Sequence, residues 1–208
     1  MKSVLDIVDY FFNKDPRIAS QRALAKEYRW KFLRRRKFEE DVISLNGFRL
    51  FDGKSKKRLK AMISFKHKQL KGGFRVFDFL HFDFGKRRTT IFEYTNPDLV
   101  LHSFMIEPRG GILKNMFGKS VQPIILTTTP EFDESYQINT DQPELFKETI
   151  NVDFLDHIGD HKGWTYEAMD HSIIMYRLGS IVESVDMERE IDRFIKLCDD
   201  LVHGKNLM

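Results

Sequence analysis

The chain has 208 residues, 41% of them hydrophobic and 31% charged, which indicates a soluble globular protein with a real core. A single cysteine excludes an internal disulfide framework, and no window approaches the roughly 18 uncharged apolar residues of a membrane span. The charge is divided: residues 1–71 hold 20 Lys and Arg against 8 Asp and Glu, whereas residues 72–208 hold 14 against 23. A first third with a net charge of +12 beside a remainder of −9 predicts a polyanionic partner for the N-terminal part.

The first residues do not have the pattern of a signal peptide. Asp6 and Asp9 interrupt the apolar stretch over residues 4–12, and no small-residue cleavage site follows it. We therefore predict a cytoplasmic protein, with attachment to the inner face of the membrane left open.

The first long element is predicted as a helix over residues 16–44. Asp15 followed by Pro16 is typical of a helix start, because the carboxylate caps the first turn and proline needs no hydrogen-bond acceptor there. The apolar residues at helical spacing are Leu24, Tyr28 and Phe32. The remaining faces of this helix are strongly basic.

Strand patterns follow, at residues 48–51, 61–67, 74–84, 88–95, 99–106, 123–128 and 132–138. The segment 74–84 is apolar on both alternations, which predicts a central strand that is covered on both faces. Turn residues separate it from its two successors, so 74–84, 88–95 and 99–106 are predicted to form an antiparallel meander.

The C-terminal part begins with helices near residue 141 and over 151–159. A hairpin of 164–169 with 172–178 and a last helix over 183–203 complete it. The fold class is therefore predicted as α+β. A mainly antiparallel sheet, made of a meander plus a C-terminal hairpin, is packed by a long N-terminal helix and a C-terminal helix.

We divide the chain into a basic helical arm, residues 1–45, and an α+β domain, residues 46–208. One continuous domain is the alternative.

The basic residues suggest where a polyanion binds. The candidates are Arg29, Arg34, Arg35, Arg36, Lys37, Lys54, Lys56, Lys57, Arg58 and Lys60. The leading hypothesis is a non-enzymatic binding or scaffold domain that contacts an anionic surface, the inner membrane leaflet. The alternative is sequence-nonspecific nucleic-acid binding, with aromatic residues interleaved among the cations at Trp30, Phe32 and Phe38. A solvated helix face or a protein partner explains the same charges.

Evidence for catalysis is sparse, and we predict no catalytic residue, no cofactor and no small-molecule substrate. Asp153, Asp156, His157 and His161 are candidate metal ligands, since two histidines four apart share a helix face. They would suit a metal-dependent hydrolase, the third hypothesis, but no glutamate base lies between the histidines, and a polar loop edge explains them equally well. The loop 111–120 ends in Gly-Lys-Ser but lacks the glycine spacing of a phosphate-binding loop.

Asp78 lies inside the most apolar predicted strand. A buried carboxylate needs an ion pair or hydrogen bonds, and both functional sites and structural networks contain such groups. We interpret Asp78 as structural, with Arg75, Arg88 or Tyr94 on neighbouring strands as its partner.

Four short patterns are similar to those of a set of uncharacterised bacterial domains, often found beside membrane helices. They are Val76–Phe79, Ser103–Pro108, Pro130–Phe132 leading to Tyr136, and Trp164–Glu167. This resemblance spans about residues 28–203. It implies a location near a membrane and no catalytic residues, although the basic first 45 residues here lack a spanning segment.

Overall fold

The computed structural model describes residues 15–37, 45–52, 57–81, 87–110 and 130–204. The helices are α1 (Pro16–Glu27), α2 (Pro130–Ser135), α3 (Pro143–Thr149), α4 (Val152–Asp160) and α5 (Met187–His203), with a 3₁₀ helix at Arg49–Phe51. The strands are β1 (Lys31–Lys37), β2 (Arg58–Phe65), β3 (Gly73–His81), β4 (Arg87–Thr95), β5 (Leu101–Pro108), β6 (Tyr136–Thr140), β7 (Thr165–Asp170) and β8 (Ser172–Tyr176).

Within these residues, eight strands form one antiparallel sheet in the order β1-β2-β3-β4-β8-β7-β5-β6. The predicted α+β class is confirmed, with a meander, a C-terminal hairpin, and helices from both ends of the chain. However, the meander consists of β1 to β4, and the predicted third member, 99–106, is wrongly placed. The hairpin β7–β8 separates that strand from β4, because β8 is buried at all five positions and needs a central place.

The N-terminal helix begins as predicted but is much shorter. The side chain of Asp15 accepts a hydrogen bond from the backbone of Arg17, and Pro16 occupies the first turn. The helix ends at Glu27, and the predicted continuation to residue 44 is wrong because Lys31–Lys37 is a strand paired with β2. Pairing with a partner distant in sequence outweighs the helical preference of the basic run, since propensity is only a weak prior.

The helix terminates in a hydrogen-bonded motif that normally requires glycine. The amide of Trp30 donates to the carbonyl of Ala25 at 2.7 Å, and the amide of Arg29 donates to that of Lys26 at 3.3 Å. This is the Schellman arrangement, in which the residue after the cap adopts the left-handed conformation. That residue is Arg29, with φ of 57°. The sequence offers no sign of this ending, because no glycine stands there.

The two faces of the sheet belong to different apolar clusters. On one face, strand residues such as Phe74, Val76 and Phe92 pack against helices α3, α4 and α5. On the other face, Phe77, Phe79 and Ile91 are covered by apolar residues of the segment 45–51. The prediction that the 74–84 strand is covered twice is confirmed over the described part of that strand.

Two shorter strand predictions need correction. Residues 49–51 form a 3₁₀ helix instead of the strand predicted at 48–51, because Phe48, Leu50 and Phe51 all turn onto the sheet. Residues 130–135 are helical, so the strand predicted at 132–138 begins only at Tyr136. The strand predicted at 123–128 and the loop 111–120 lie outside the described residues. In the described part of the chain, no helix combines the length and apolar character needed to cross a membrane.

Candidate binding surface

Most of the predicted polyanion-binding residues lie on one edge of the sheet. Arg34, Arg35, Arg36 and Lys37 are in β1, the edge strand, and Arg58 and Lys60 are in the adjacent β2. Arg29 lies in the turn before β1, and Lys57 precedes β2 with its ammonium group donating to the carbonyl of Phe51. Lys54 and Lys56 lie outside the described residues, as does Phe38.

The register of this edge places like charges opposite each other. Arg35 pairs with Lys60, and Lys37 pairs with Arg58. Like charges directly across an antiparallel pair disfavour it, so the pairing of these strands depends on other contacts. Two basic segments that are separate in the sequence thus lie side by side at this edge, with the side chains of each strand alternating between the two faces of the sheet.

An exposed apolar side chain lies within this surface. Lys31, Leu33 and Arg35 occupy alternate positions of β1 and all three are exposed. Leu33 is 47% exposed, whereas its neighbour Phe32 is half-buried, with the guanidinium carbon of Arg22 5.5 Å from the ring centroid. The edge strand therefore presents an aliphatic group between two cations.

Next to this strand, aromatic rings form a continuous stack. Tyr28 stacks on Trp30 with centroids 4.7 Å apart, and Trp30 stacks on Phe65 at 4.3 Å. Phe65 stacks on Phe74 at 5.2 Å, and Phe74 on the buried Tyr94 at 4.6 Å. The stack runs from the exposed end of α1 across β2 and β3 into the core.

A cleft of about 660 Å³ opens beside the outer end of this stack. Its lining residues are Tyr28, Arg29, Trp30, Lys31, Ser64, Phe65, Lys66, Gly73, Phe74 and Arg75. Of these, Arg29, Lys31 and Lys66 are exposed cations, and no acidic residue is among them. The cleft thus combines an apolar wall with a cationic rim. The basic surface was predicted from the sequence; the contributions of Phe65, Lys66 and Gly73 were not, because only the sheet register joins them to Trp30.

Asp78 is completely buried and lies at the centre of an ion-pair network. Arg17 contacts it through two atoms, at 2.6 and 2.8 Å, and Arg88 contacts it at 2.7 Å. The Thr90 hydroxyl donates to the same carboxylate at 3.0 Å, and Arg17 also donates to the carbonyl of Val182. Each Asp78 oxygen has a protein partner, which agrees with the structural interpretation.

Only one of the three partners proposed for Asp78 is correct. Arg88 contacts it, but Arg75 forms a two-atom ion pair with the buried Glu93, at 2.6 and 2.5 Å. Tyr94 donates its hydroxyl to the carbonyl of Lys71 at 2.6 Å. Arg75 points to the opposite face of the sheet from Asp78, because side chains alternate along β3. The partner that the prediction missed, Arg17, is 61 positions away from Asp78 in the sequence.

The candidate metal ligands lie on and after α4. Nδ1 of His157 lies 2.9 Å from a carboxylate oxygen of Asp200, and Nδ1 of His161 lies 2.8 Å from the carbonyl of His157. The two rings stack at 4.5 Å, and burial together with the neighbouring His161 lowers the pKa of His157. Asp153 is half-buried and Asp156 exposed, and the described residues contain no group of three or more acidic, histidine or cysteine side chains placed to hold a metal.

Glu167 is a buried carboxylate that the sequence pattern did not indicate. It accepts hydrogen bonds from the backbone amides of Arg49 and Leu50, at 2.5 and 3.1 Å, and from the Tyr176 hydroxyl at 2.5 Å. Burial raises the pKa of Glu167 to about 7, and the three donors act in the opposite direction. Glu167 thereby attaches the 3₁₀ helix to the sheet.

Comparison with known proteins finds a similar fold but no matching family. No family model matches the chain, and no curated protein matches it. A solved structure with a similar fold is the mycobacterial trehalose monomycolate transport factor A, TtfA. It aligns with a TM-score of 0.57 and 9% identity, over 92% of this chain and 97% of that one. At this identity the likeness concerns the fold alone, and the resemblance to membrane-associated bacterial domains stays a prediction.

Proposed function

We propose that this protein is a non-catalytic binding protein that docks the basic edge of its sheet on an anionic membrane surface, the inner leaflet. The observation that carries the proposal is the exposed sequence of β1, in which Leu33 lies between Lys31 and Arg35. Cations attract the anionic head groups, and an aliphatic side chain between them gains free energy by entering the interface.

The energies are sufficient for reversible docking. Each basic residue near an anionic leaflet contributes on the order of 1 kcal/mol, so a handful of exposed cations suffices for weak attachment. Burying an exposed leucine adds up to about 2 kcal/mol. Together these terms favour a peripheral association that weakens as salt is added.

Lipid is favoured over nucleic acid by the state of the aromatic rings. Base stacking needs a free ring face, but Trp30 stacks with both Tyr28 and Phe65, so that Tyr28, 40% exposed, is the ring of this stack that a base would have to use. Phe65 in turn lies between Trp30 and Phe74. The similar solved structure is described as a transport factor, and a transport factor is consistent with a binding role for this fold.

The test is co-sedimentation of the full chain with vesicles of phosphatidylglycerol and phosphatidylcholine across a salt series. The double variant Lys31→Glu with Arg35→Glu is expected to lose binding, because its two reversals replace attraction by repulsion. The matched control is Lys162→Glu with Lys196→Glu, which makes the same change in net charge at exposed positions away from β1. That control is expected to bind nearly as the wild type does.

A second pair of variants tests the apolar contribution. Leu33→Ser is expected to weaken vesicle binding by roughly tenfold, since the free energy of inserting the leucine is lost. Val100→Ser removes an aliphatic side chain that is 70% exposed outside this surface, and it is expected to have no effect. Equal loss in both charge variants, or binding to nucleic acid in preference to vesicles, would overturn the proposal.

A further inference from the structure

The cleft beside β1 has the size and lining of a site for one small amphiphile. Its volume of about 660 Å³ falls in the usual range of ligand sites, roughly 300–1,000 Å³. Aromatic side chains form one wall, and exposed Arg29, Lys31 and Lys66 surround the opening. This arrangement suits a molecule with an apolar body and an anionic head.

The stacked rings decide between a planar and an aliphatic body. Trp30 and Phe65 each have rings against both faces, at 4.3 to 5.2 Å between centroids. The faces of these two rings are therefore occupied by their stacked neighbours. A flexible acyl chain packs against aromatic side chains without a free ring face, whereas a nucleobase depends on Tyr28, the exposed end of the stack.

Gly73 contributes space in the cleft. Neither backbone conformation nor crowding requires a glycine there: a Cβ built on Gly73 meets only the carbonyl of Phe65, at 3.9 Å. The preceding Gly72 differs, because its φ of 96° and contacts as short as 2.1 Å exclude any side chain. The absence of a side chain at Gly73 thus keeps the cleft open without being needed for the fold.

Arg29 is a cation held at a position that prefers glycine. Its φ of 57° is unfavourable for a residue with a Cβ. Strained backbone concentrates at functional sites, and Arg29 is an exposed cation that lines the cleft. A guanidinium pairs well with the oxygens of a phosphate group.

We propose that this cleft binds a single anionic phospholipid molecule, with an acyl chain against Trp30 and Phe65 and the phosphate on Arg29, Lys31 and Lys66. The inference rests on the proposed function in so far as docking of β1 brings the cleft opening to the leaflet. It goes beyond surface docking, because it assigns a site that takes the acyl chain of one lipid out of the bilayer.

The experiment uses the full chain and a short-chain phosphatidylglycerol below its micelle concentration, with binding followed by calorimetry. A version with brominated acyl chains is expected to quench the fluorescence of Trp30, the half-buried indole, and to leave that of the buried Trp164. In Trp30→Phe the quenching is expected to disappear, because Trp164 lies in the core.

Two variants separate the cleft from the fold. Gly73→Leu places a side chain in the cleft and is expected to lower affinity by about tenfold or more, whereas Gly73→Ala, whose Cβ has room, is expected to bind within about threefold of the wild type. Arg29→Gly removes the head-group cation and the backbone strain together. It is expected to lose affinity while its midpoint of unfolding in urea stays equal or rises.

Two soluble phosphate compounds without an acyl chain show which chemistry is recognised. Glycerol phosphate and adenosine monophosphate are expected to bind far more weakly than the short-chain lipid. Equal affinity for either, full binding by Gly73→Leu, or no quenching by brominated chains would overturn the lipid site.

Failure of this inference is distinguishable from failure of the proposed function. Vesicle docking without binding of monomeric lipid would remove the cleft site and leave the docking surface. Binding of monomeric lipid without vesicle docking would leave the cleft site and remove the docking surface.

Discussion

Glu167 is a carboxylate whose surroundings act on it in two opposite directions. Three donors favour its ionised form, but complete burial penalises the charge more strongly and raises its pKa from 4.5 to about 7. Because the folded pKa is higher than the unfolded one, folding favours the protonated form. The stability from this group is therefore full below about pH 4.5 and is lost as the pH rises through 7.

We accordingly predict that Glu167→Gln changes how stability depends on pH. Between pH 4.5 and pH 8, the wild type should lose on the order of 3 kcal/mol relative to this variant, since the glutamine cannot ionise. Urea unfolding of both proteins at several pH values measures this difference. A wild type that gains stability relative to the variant as the pH rises would mean that the donors outweigh burial.

At the scale of elements, Asp78 connects helix α1 to the middle of the sheet. Arg17 on α1 and Arg88 on β4 both contact the carboxylate of Asp78, and each guanidinium lies within 2.8 Å of it. A buried ion pair is destabilising to break, because the remaining partner stays buried and uncompensated. The attachment of α1 therefore depends on this contact as well as on apolar packing.

The corresponding prediction is a double-mutant cycle. Asp78→Asn and Arg17→Met are each expected to lower the free energy of unfolding by about 3–5 kcal/mol. The double variant should lose clearly less than the sum, because removing both groups leaves no unpaired charge between them. Urea unfolding of the four proteins gives the coupling energy. Additive losses would show that Arg17 and Asp78 do not act as a pair.

The elements differ in how much of them could be predicted from local sequence. The start of α1 was predictable, since Asp15 and Pro16 act within one turn. Its end was not: Leu24, Tyr28 and Phe32 have helical spacing, yet Arg29 adopts the left-handed conformation and Phe32 lies on a strand. The strand that follows the helix depends on pairing with β2, whose residues lie 21 to 33 positions further along the chain.

In the candidate site, too, features set by local sequence were predictable and features set by strand pairing were not. The basic run was recognisable in the sequence, and so was a buried Asp78 in an apolar strand. The register that sets Arg35 against Lys60, and the space beside Gly73, arise only when strands pair. The extra residue of β2 near Ala61, which has φ of 50°, has no sequence signature either.

At the scale of the whole molecule, the predicted basic arm contains a strand of the sheet, β1. Deleting residues 1–45 takes away α1 and β1, leaves Asp78 without Arg17, and turns β2 into the edge. We predict that this deletion lowers stability by at least about 3–5 kcal/mol, a large part of the roughly 5–15 kcal/mol of a typical domain.

Circular dichroism and urea unfolding of the deleted chain measure that loss. The matched comparison is the double variant Lys31→Glu with Arg35→Glu, which changes the charge of the same edge and is expected to remain folded. A deleted chain as stable as the full one would show that residues 1–45 form an independent arm.

The sheet order also dictates a sequence of events during biosynthesis. Strands β1 to β4 leave the ribosome first, but the inner neighbour of β4 is β8, which ends at Tyr176. At 5–20 residues per second, roughly 4 to 15 s separate the synthesis of Thr95 from that of its partner Ser172. During that interval the nascent chain carries an unpaired, apolar strand edge with Ile91 and Phe92 on its two sides, which is the kind of surface that chaperones bind. The rate at which residues 96–172 are translated thus sets how long this edge of the nascent sheet stays unpaired.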